Sequence, residues 1–365
     1  MSWRLTACVL LWASGCLDVA EDRARRDLEV GRAESAGARV EVDSGFAAVR
    51  ALSPSSLELW ANAPALRISI ELPDGAPPSF RLLVRNTLAD AEVSARDEAG
   101  APLTVTPAGA ELETERVFSV ERGSSARFSV EIRSPDLESD EAFEFIALAD
   151  VQEAIESVQD VFAKMNAQSG ARFAMFAGDV TERGGRAELA RFQREMRTLR
   201  LPLYTTLGNH ELADSDVPYH EYFGRGSQSF RFRGVRFTFL DSASATLDPL
   251  VYGWLDDWLA AGRDENHLVF MHVPPLDPSG IRNGAFSNRA EAAKLLSLLG
   301  RGRVDTTFYG HVHSYYEFEN AGIPAYISGG GGAIPERFDG IGRHFLVVTV
   351  DPRAAGTDVR VVRVD

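Results

Sequence analysis

Phe173-Ala174-Met175-Phe176-Ala177-Gly178-Asp179-Val180-Thr181-Glu182-Arg183-Gly184 is a short apolar run that breaks into glycine, an acid and a polar turn. An apolar run of this length, closed by glycine, reads as a buried strand with its charged residues in the loop that follows. The same shape recurs along the chain. Ala149-Asp150-Val151-Gln152 follows the apolar run from Phe143, and Gly208-Asn209-His210-Glu211 follows Leu203 to Leu207. Met271-His272-Val273-Pro274-Pro275 closes the run from Leu268, and Gly310-His311-Val312-His313 follows Thr306 to Tyr309. Five clusters of acid, amide or imidazole at consecutive strand ends predict convergence on one edge of a sheet, where open α/β folds place their ligands. The glycines before Asp179, Asn209 and His311 are expected to let the backbone turn sharply out of each strand.

Between these runs the apolar period changes to that of a helix. Ile155, Val158, Phe162 and Met165 share one face, as do Leu189, Phe192, Met196 and Leu199. Further helices are expected near Gly253 to Ala260 and Ala290 to Leu299, the latter closed by Gly300, and another strand at Val235 to Leu240. Strand-rich sequence after Tyr315 ends in Phe345 to Val350 and Val359 to Val364. Residues 142–365 therefore predict an α/β domain, a sandwich of mixed sheets flanked by helices.

Carboxylate, amide oxygen and imidazole are the donor set of borderline divalent metals such as zinc, manganese or iron. In order, Asp150, the G-D-x-x-x-R-G of 178–184, the G-N-H-E of 208–211, His272 before its prolines and the G-H-x-H of 310–313 resemble the calcineurin-like metallophosphoesterase superfamily. The resemblance implies a dinuclear centre of two divalent ions, manganese, zinc or iron. Asp179 would bridge them, Asp150, Gln152 and His313 would hold one, and Asn209, His272 and His311 the other. It implies hydrolysis of phosphate mono- or diesters by a hydroxide between the metals, with His210 assisting the leaving group. Arg183 falls where relatives contact phosphate, and Glu182 where some relatives orient the catalytic histidine. Gln152 departs from the pattern, which has histidine there, and an amide oxygen binds a borderline metal more weakly than imidazole. Glu182 replaces the tyrosine of purple acid phosphatases, so no iron–tyrosinate colour is expected.

Upstream the chain divides into three zones. Residues 1–15 read as a signal peptide: Arg4 precedes an apolar run from Leu5 to Gly15 that is too short to span a bilayer. Ala13-Ser14-Gly15-Cys16 resembles a bacterial lipobox, which implies acylation of Cys16, a membrane-surface partner and a cell-envelope location, with simple secretion as the alternative. Residues 16–37, rich in Asp, Glu, Arg and Ala, are expected to form a solvated charged tether. From 38 to 137 the period is two, as in Leu66, Ile68, Ile70 and Leu72, and turn residues punctuate the runs. About seven strands with no helix predict an accessory all-β sandwich of immunoglobulin-like type.

The net charge of −15 opposes a nucleic-acid partner, while a small phosphorylated substrate stays compatible with a local metal. Other conspicuous residues carry plainer readings. His267, His344 and His220 are expected to be structural, and Trp254, Leu255, Trp258 and Leu259 to be one face of an amphipathic helix. Gly329 to Gly332 lacks the Lys-Ser/Thr of a phosphate-cradling loop. Ser242 and Ser244 lack the frame of a nucleophile elbow. Two functions from different classes follow: a metal-dependent phosphoesterase, or a non-catalytic surface binding or scaffold protein with a degraded metal site.

Overall fold

Strict alternation builds the first half of the chain. In the strand Leu66–Glu71, Leu66, Ile68 and Ile70 point inward while Arg67, Ser69 and Glu71 face solvent. The computed structural model describes residues 20–214, 216–280, 284–336 and 340–365, so the expected signal peptide and the expected acylation site at Cys16 lie outside the described residues. Residues 32–133 contribute ten strands to one continuous hydrogen-bonded sheet whose halves close around a shared apolar core. The strand Pro102–Ala108 joins those halves, pairing with Glu92–Asp97 on one side and Glu115–Glu121 on the other. This architecture departs from the expected seven-stranded immunoglobulin-like sandwich in strand count. It also contains a parallel pair, Ser56–Ala61 beside Ser79–Arg85.

From residue 20 onward the charged segment read as a tether is folded. Helix α1 (Ala20–Glu29) buries Arg23, Ala24 and Asp27 against the second half of the chain. Arg23, wholly buried, donates Nε to Asp241 Oδ2 at 2.6 Å and Nη2 to Ser244 Oγ at 2.9 Å. Asp27 accepts from the backbone N–H groups of Gly226 and Ser227, at 2.8 and 2.9 Å. A charge run reads as solvated because its partners, some two hundred residues away in sequence, are invisible to composition.

Residues 142–365 form two facing sheets. One runs, in order, Leu203–Thr205, Ala171–Phe176, Phe143–Leu148, His344–Val350 and Thr357–Arg363, with the first three parallel. The other carries Val235–Leu240, Asn266–Met271, Thr306–Tyr309 and Ile323–Ser328 in parallel, edged by the antiparallel Gln228–Phe232 and Tyr315–Asn320. Phenylalanines fill the space between them: Phe145 lies 5.3 Å from Phe237 and 5.9 Å from Phe270 in edge-to-face contact. Helices α2 (Gln159–Asn166) and α3 (Arg186–Glu195), with the short α4 (Tyr219–Tyr222), pack on the first sheet. Helices α5 (Pro249–Ala261) and α6 (Arg289–Arg301) cover the second. Gly300 lies inside α6, which ends instead at Gly302, whose N–H donates to the Leu298 carbonyl. No described helix is long and apolar enough to cross a membrane.

The two halves are not insulated from each other, because one cluster of buried apolar side chains runs from Val40 and Ile68 to Phe143, Phe173 and Phe237. At their junction Asn62 donates Nδ2 to the Thr205 carbonyl at 2.9 Å and accepts the Thr205 N–H at 2.8 Å. Asn86 does the same for Leu203, at 2.8 and 2.9 Å. Two side-chain amides thus complete the ladder of the edge strand Leu203–Thr205 as another strand would.

Candidate metal centre

Every expected ligand sits just past the C-terminal end of a strand. Asp150, Asp179 and His272 are buried, and each offers one ligand atom within 4.8 Å of the others. The rest of the set joins this core. Gln152 places Nε2 at 2.7 Å from Asp179 Oδ2 and 3.1 Å from His313 Nε2, and His313 Nε2 is 3.6 Å from Asp150 Oδ1. On the other side His272 Nε2 lies 3.2 Å from Asp179 Oδ2 and 2.9 Å from Asn209 Oδ1, which is 2.8 Å from His311 Nδ1. Asp179 stands between the two groups.

The backbone at these candidate ligands is locally costly. Asp150, Gln152, Asp179 and His311 adopt φ of 65°, 49°, 58° and 69°, the left-handed region that non-glycine residues seldom occupy. Such conformations persist where the surroundings over-determine them, typically at functional sites. Among the glycines expected to provide the turns, only Gly178 has a positive φ, at 86°. Gly208 and Gly310 are needed for room instead. A Cβ on Gly208 would run into the Asp179 carboxylate, and one on Gly310 would sit 2.6 Å from Ala149 Cβ.

The donor set fits a cation. Asp150 and Asp179 are fully buried, and among the described residues no lysine or arginine pairs with either. The backbone carbonyl of Ala177 lies 2.9 Å from His272 Nδ1 and that of Ile334 lies 2.8 Å from His313 Nδ1. Each carbonyl fixes a ring so that Nε2 faces the carboxylates, the usual support of a metal-binding histidine. Electrostatics match. Burial, reinforced by the Asp179 charge, pushes the Asp150 carboxyl well above its usual range. Burial would also raise Asp179, but His272 outweighs it and holds Asp179 below the usual range. His272, though buried, is lifted to about 9 by Asp179.

His210 stands at the rim, 29% exposed, with Nε2 at 4.0 Å from Asp179 Oδ2. Its Nδ1 meets the Glu182 main-chain carbonyl at 2.7 Å, while the Glu182 carboxylate is farther, at 3.5 Å. The nearer holder of the ring is therefore backbone rather than the side chain expected for that role. Arg183 is exposed, and its side chain forms no hydrogen bond or ion pair among the described residues. It lines a shallow cleft with Gly185, Glu188, Ala213 and Asp214.

Glu211 had no role assigned from the motif. It is wholly buried and accepts from the backbone N–H of Asp179, Thr181 and Gly208 and from the Thr181 hydroxyl, at 2.8–3.0 Å. Burial, with the Asp179 charge, raises it to about 7. His220, His267 and His344 take structural places. His220 Nε2 meets Asp27 at 3.1 Å, His267 Nε2 meets Thr238 Oγ1 at 2.8 Å, and His344 Nδ1 meets the Gly342 carbonyl at 2.9 Å.

Asp150, Asp179 and His272 together make a candidate metal site at the strand ends. Residues 143–315 match the family model for calcineurin-like phosphoesterase, and this part of the chain is a calcineurin-like metallophosphoesterase domain. No curated protein matches the chain. Among solved structures, that of PhoD is similar at 10% identity over 87% of this chain and 90% of its own, with a TM-score of 0.48. A dimetal phosphatase from Danio rerio aligns at 13% identity over 61% of this chain and 99% of its own, with a TM-score of 0.44. A phosphatase from Mycoplasma pneumoniae aligns at 15% identity over 61% and 93%, with a TM-score of 0.39.

Proposed function

We propose that this protein is a hydrolase of small phosphate mono- or diesters that uses two divalent ions, exported and held at a membrane surface through an acylated Cys16. The observation that carries the catalytic reading is the single connected cluster in which Asp179 touches both Gln152 and His272. Asp150, Gln152, Asp179 and His313 would hold one ion, and Asp179, Asn209, His272 and His311 the other. When bound, the ions would supply an activated nucleophile near neutral pH and offset charge gathering on phosphorus.

The chain's own groups do the rest. With Nδ1 committed to the Glu182 carbonyl, His210 presents Nε2 as the atom that gives a proton to the departing oxygen. The free, planar Arg183 guanidinium suits two oxygens of the phosphoryl group. Glu182 steadies His210 through its main chain. The exposed Ile334 is fixed at the edge of the site, its carbonyl meeting His313 and its N–H meeting Glu153.

The test is release of nitrophenol from mono- and bis-nitrophenyl phosphate with added manganese, zinc or iron. Asp179→Asn is expected to abolish both metal retention and turnover. A folded wild-type protein that turns over neither ester with any of the three metals would move the assignment to the scaffold reading. For the anchor, Cys16→Ser should release the protein from the membrane fraction and end palmitate labelling.

A further inference from the structure

A cavity of about 280 Å³ lies between the β half and α3, and its walls contradict the charge of the whole molecule. The protein carries −15, yet four arginines, Arg50, Arg85, Arg194 and Arg197, line this space against two carboxylates, Glu58 and Glu115. Both carboxylates are already engaged. Arg85 donates Nε to Glu58 at 2.7 Å and pairs through Nη1 with Glu115. Arg197 reaches outward to Glu111 at 2.8 Å and stands 3.8 Å from Glu115.

Three donors are left without an anion. Among the described residues Arg50 donates only to the Glu221 main-chain carbonyl, at 2.9 Å, and lies 4.4 Å over the Tyr222 ring. Burial outweighs the nearby Glu58 and Glu221 charges and pushes its guanidinium below the ordinary value. Arg194 is exposed, and its side chain makes no hydrogen bond or ion pair among the described residues. Trp60 lines the same cavity at 7% exposure, and its indole N–H meets no acceptor among the described residues. A buried donor left unmet is destabilising, a cost that an incoming acceptor would relieve.

We propose that this cavity is a second binding site, separate from the metal centre, for a small multiply charged oxyanion. Guanidinium forks converging from two elements suit phosphate or carboxylate oxygens, and the volume limits the guest to a small molecule. The site also has a physical link to the chemistry. Helix α3 begins directly after the Arg183–Gly185 loop, while Arg194 lies in its last turn, roughly 15 Å along the axis for ten residues, and Arg197 in the short turn that follows. A guest bridging Arg50 and Arg194 would tie the β half to the helix that leads into the active-site rim.

The experiment uses the mature chain with the metal centre disabled in two ways, by chelator and by Asp179→Asn, and takes inorganic phosphate and citrate as probes. Calorimetry and thermal melts, at ionic strength matched with chloride, should show binding of at least one probe in both preparations. Arg194→Glu and Arg50→Gln should each weaken that binding tenfold or more. Because Arg194 is exposed and unpaired, Arg194→Glu is expected to melt like wild type without ligand. Its basal turnover of nitrophenyl phosphate should be unchanged when neither probe is present. Absence of binding in both disabled preparations, or affinity unaltered by either arginine substitution, overturns the proposal.

Discussion

Glu211 accepts the backbone N–H of Asp179 at 2.9 Å, so the residue just after His210 determines where the central carboxylate of the cluster sits. Through Gly208 and Thr181 it also clamps together the loops that follow two neighbouring strands. Removing it strands four buried donors, each worth about 1–3 kcal/mol when left unpaired. Glu211→Ala is therefore expected to cost about 3 kcal/mol or more in urea unfolding and to loosen metal binding. Metal affinity equal to wild type in the folded variant would show that the loops hold position without it.

Gln152 is the one proposed ligand that is an amide where the motif has imidazole. Because a neutral amide oxygen is the weaker donor for a borderline metal, Gln152→His should raise the metal retained per chain after dialysis against a mild chelator. Elemental analysis reads the result, and an unchanged metal content would show that position 152 does not limit occupancy.

The Arg23–Asp241 pair joins α1 to the metallophosphoesterase domain with both side chains out of solvent. Breaking one side of such a pair leaves a buried charge, at about 3–5 kcal/mol. Arg23→Met should destabilise by that order, and Arg23→Met with Asp241→Leu should recover much of the loss. A double variant no better than the single would mean that Asp241 is tolerated alone.

His267 gives a pH dependence with a definite sign. Burial, aided by Arg236, lowers its imidazole from 6.5 to about 3, so the folded chain keeps it neutral. The unfolded chain binds a proton near its ordinary value. Stability from this group is thus complete above pH 6.5 and drains away as pH falls toward 3, at up to about 1.4 kcal/mol per pH unit. Melting curves between pH 4 and 7 should be flatter for His267→Gln than for wild type.

The five strand-end clusters were readable because each couples a local apolar run to a chemically distinctive loop. Thr306–Tyr309 and Val235–Leu240 fall where the periodicity places them. What sequence could not show depends on partners distant along the chain. Arg23 and Asp27 look like solvated charges until Asp241, Gly226 and Ser227 are brought to them. Glu211 stood in a quoted motif, but its partners are backbone N–H groups, which carry no residue signature. The edge strand Gln228–Phe232 was missed, since five residues beside a stronger run give little periodicity of their own.

Asn62 and Asn86 occupy hydrogen-bonding positions that an open sheet would offer to any passing chain. The β half therefore acts as a molecular stopper for its neighbour, and separating the two would leave Leu203–Thr205 as a sticky seam. A fragment starting at residue 142 should self-associate through that seam, which would appear as a higher apparent mass on size-exclusion chromatography.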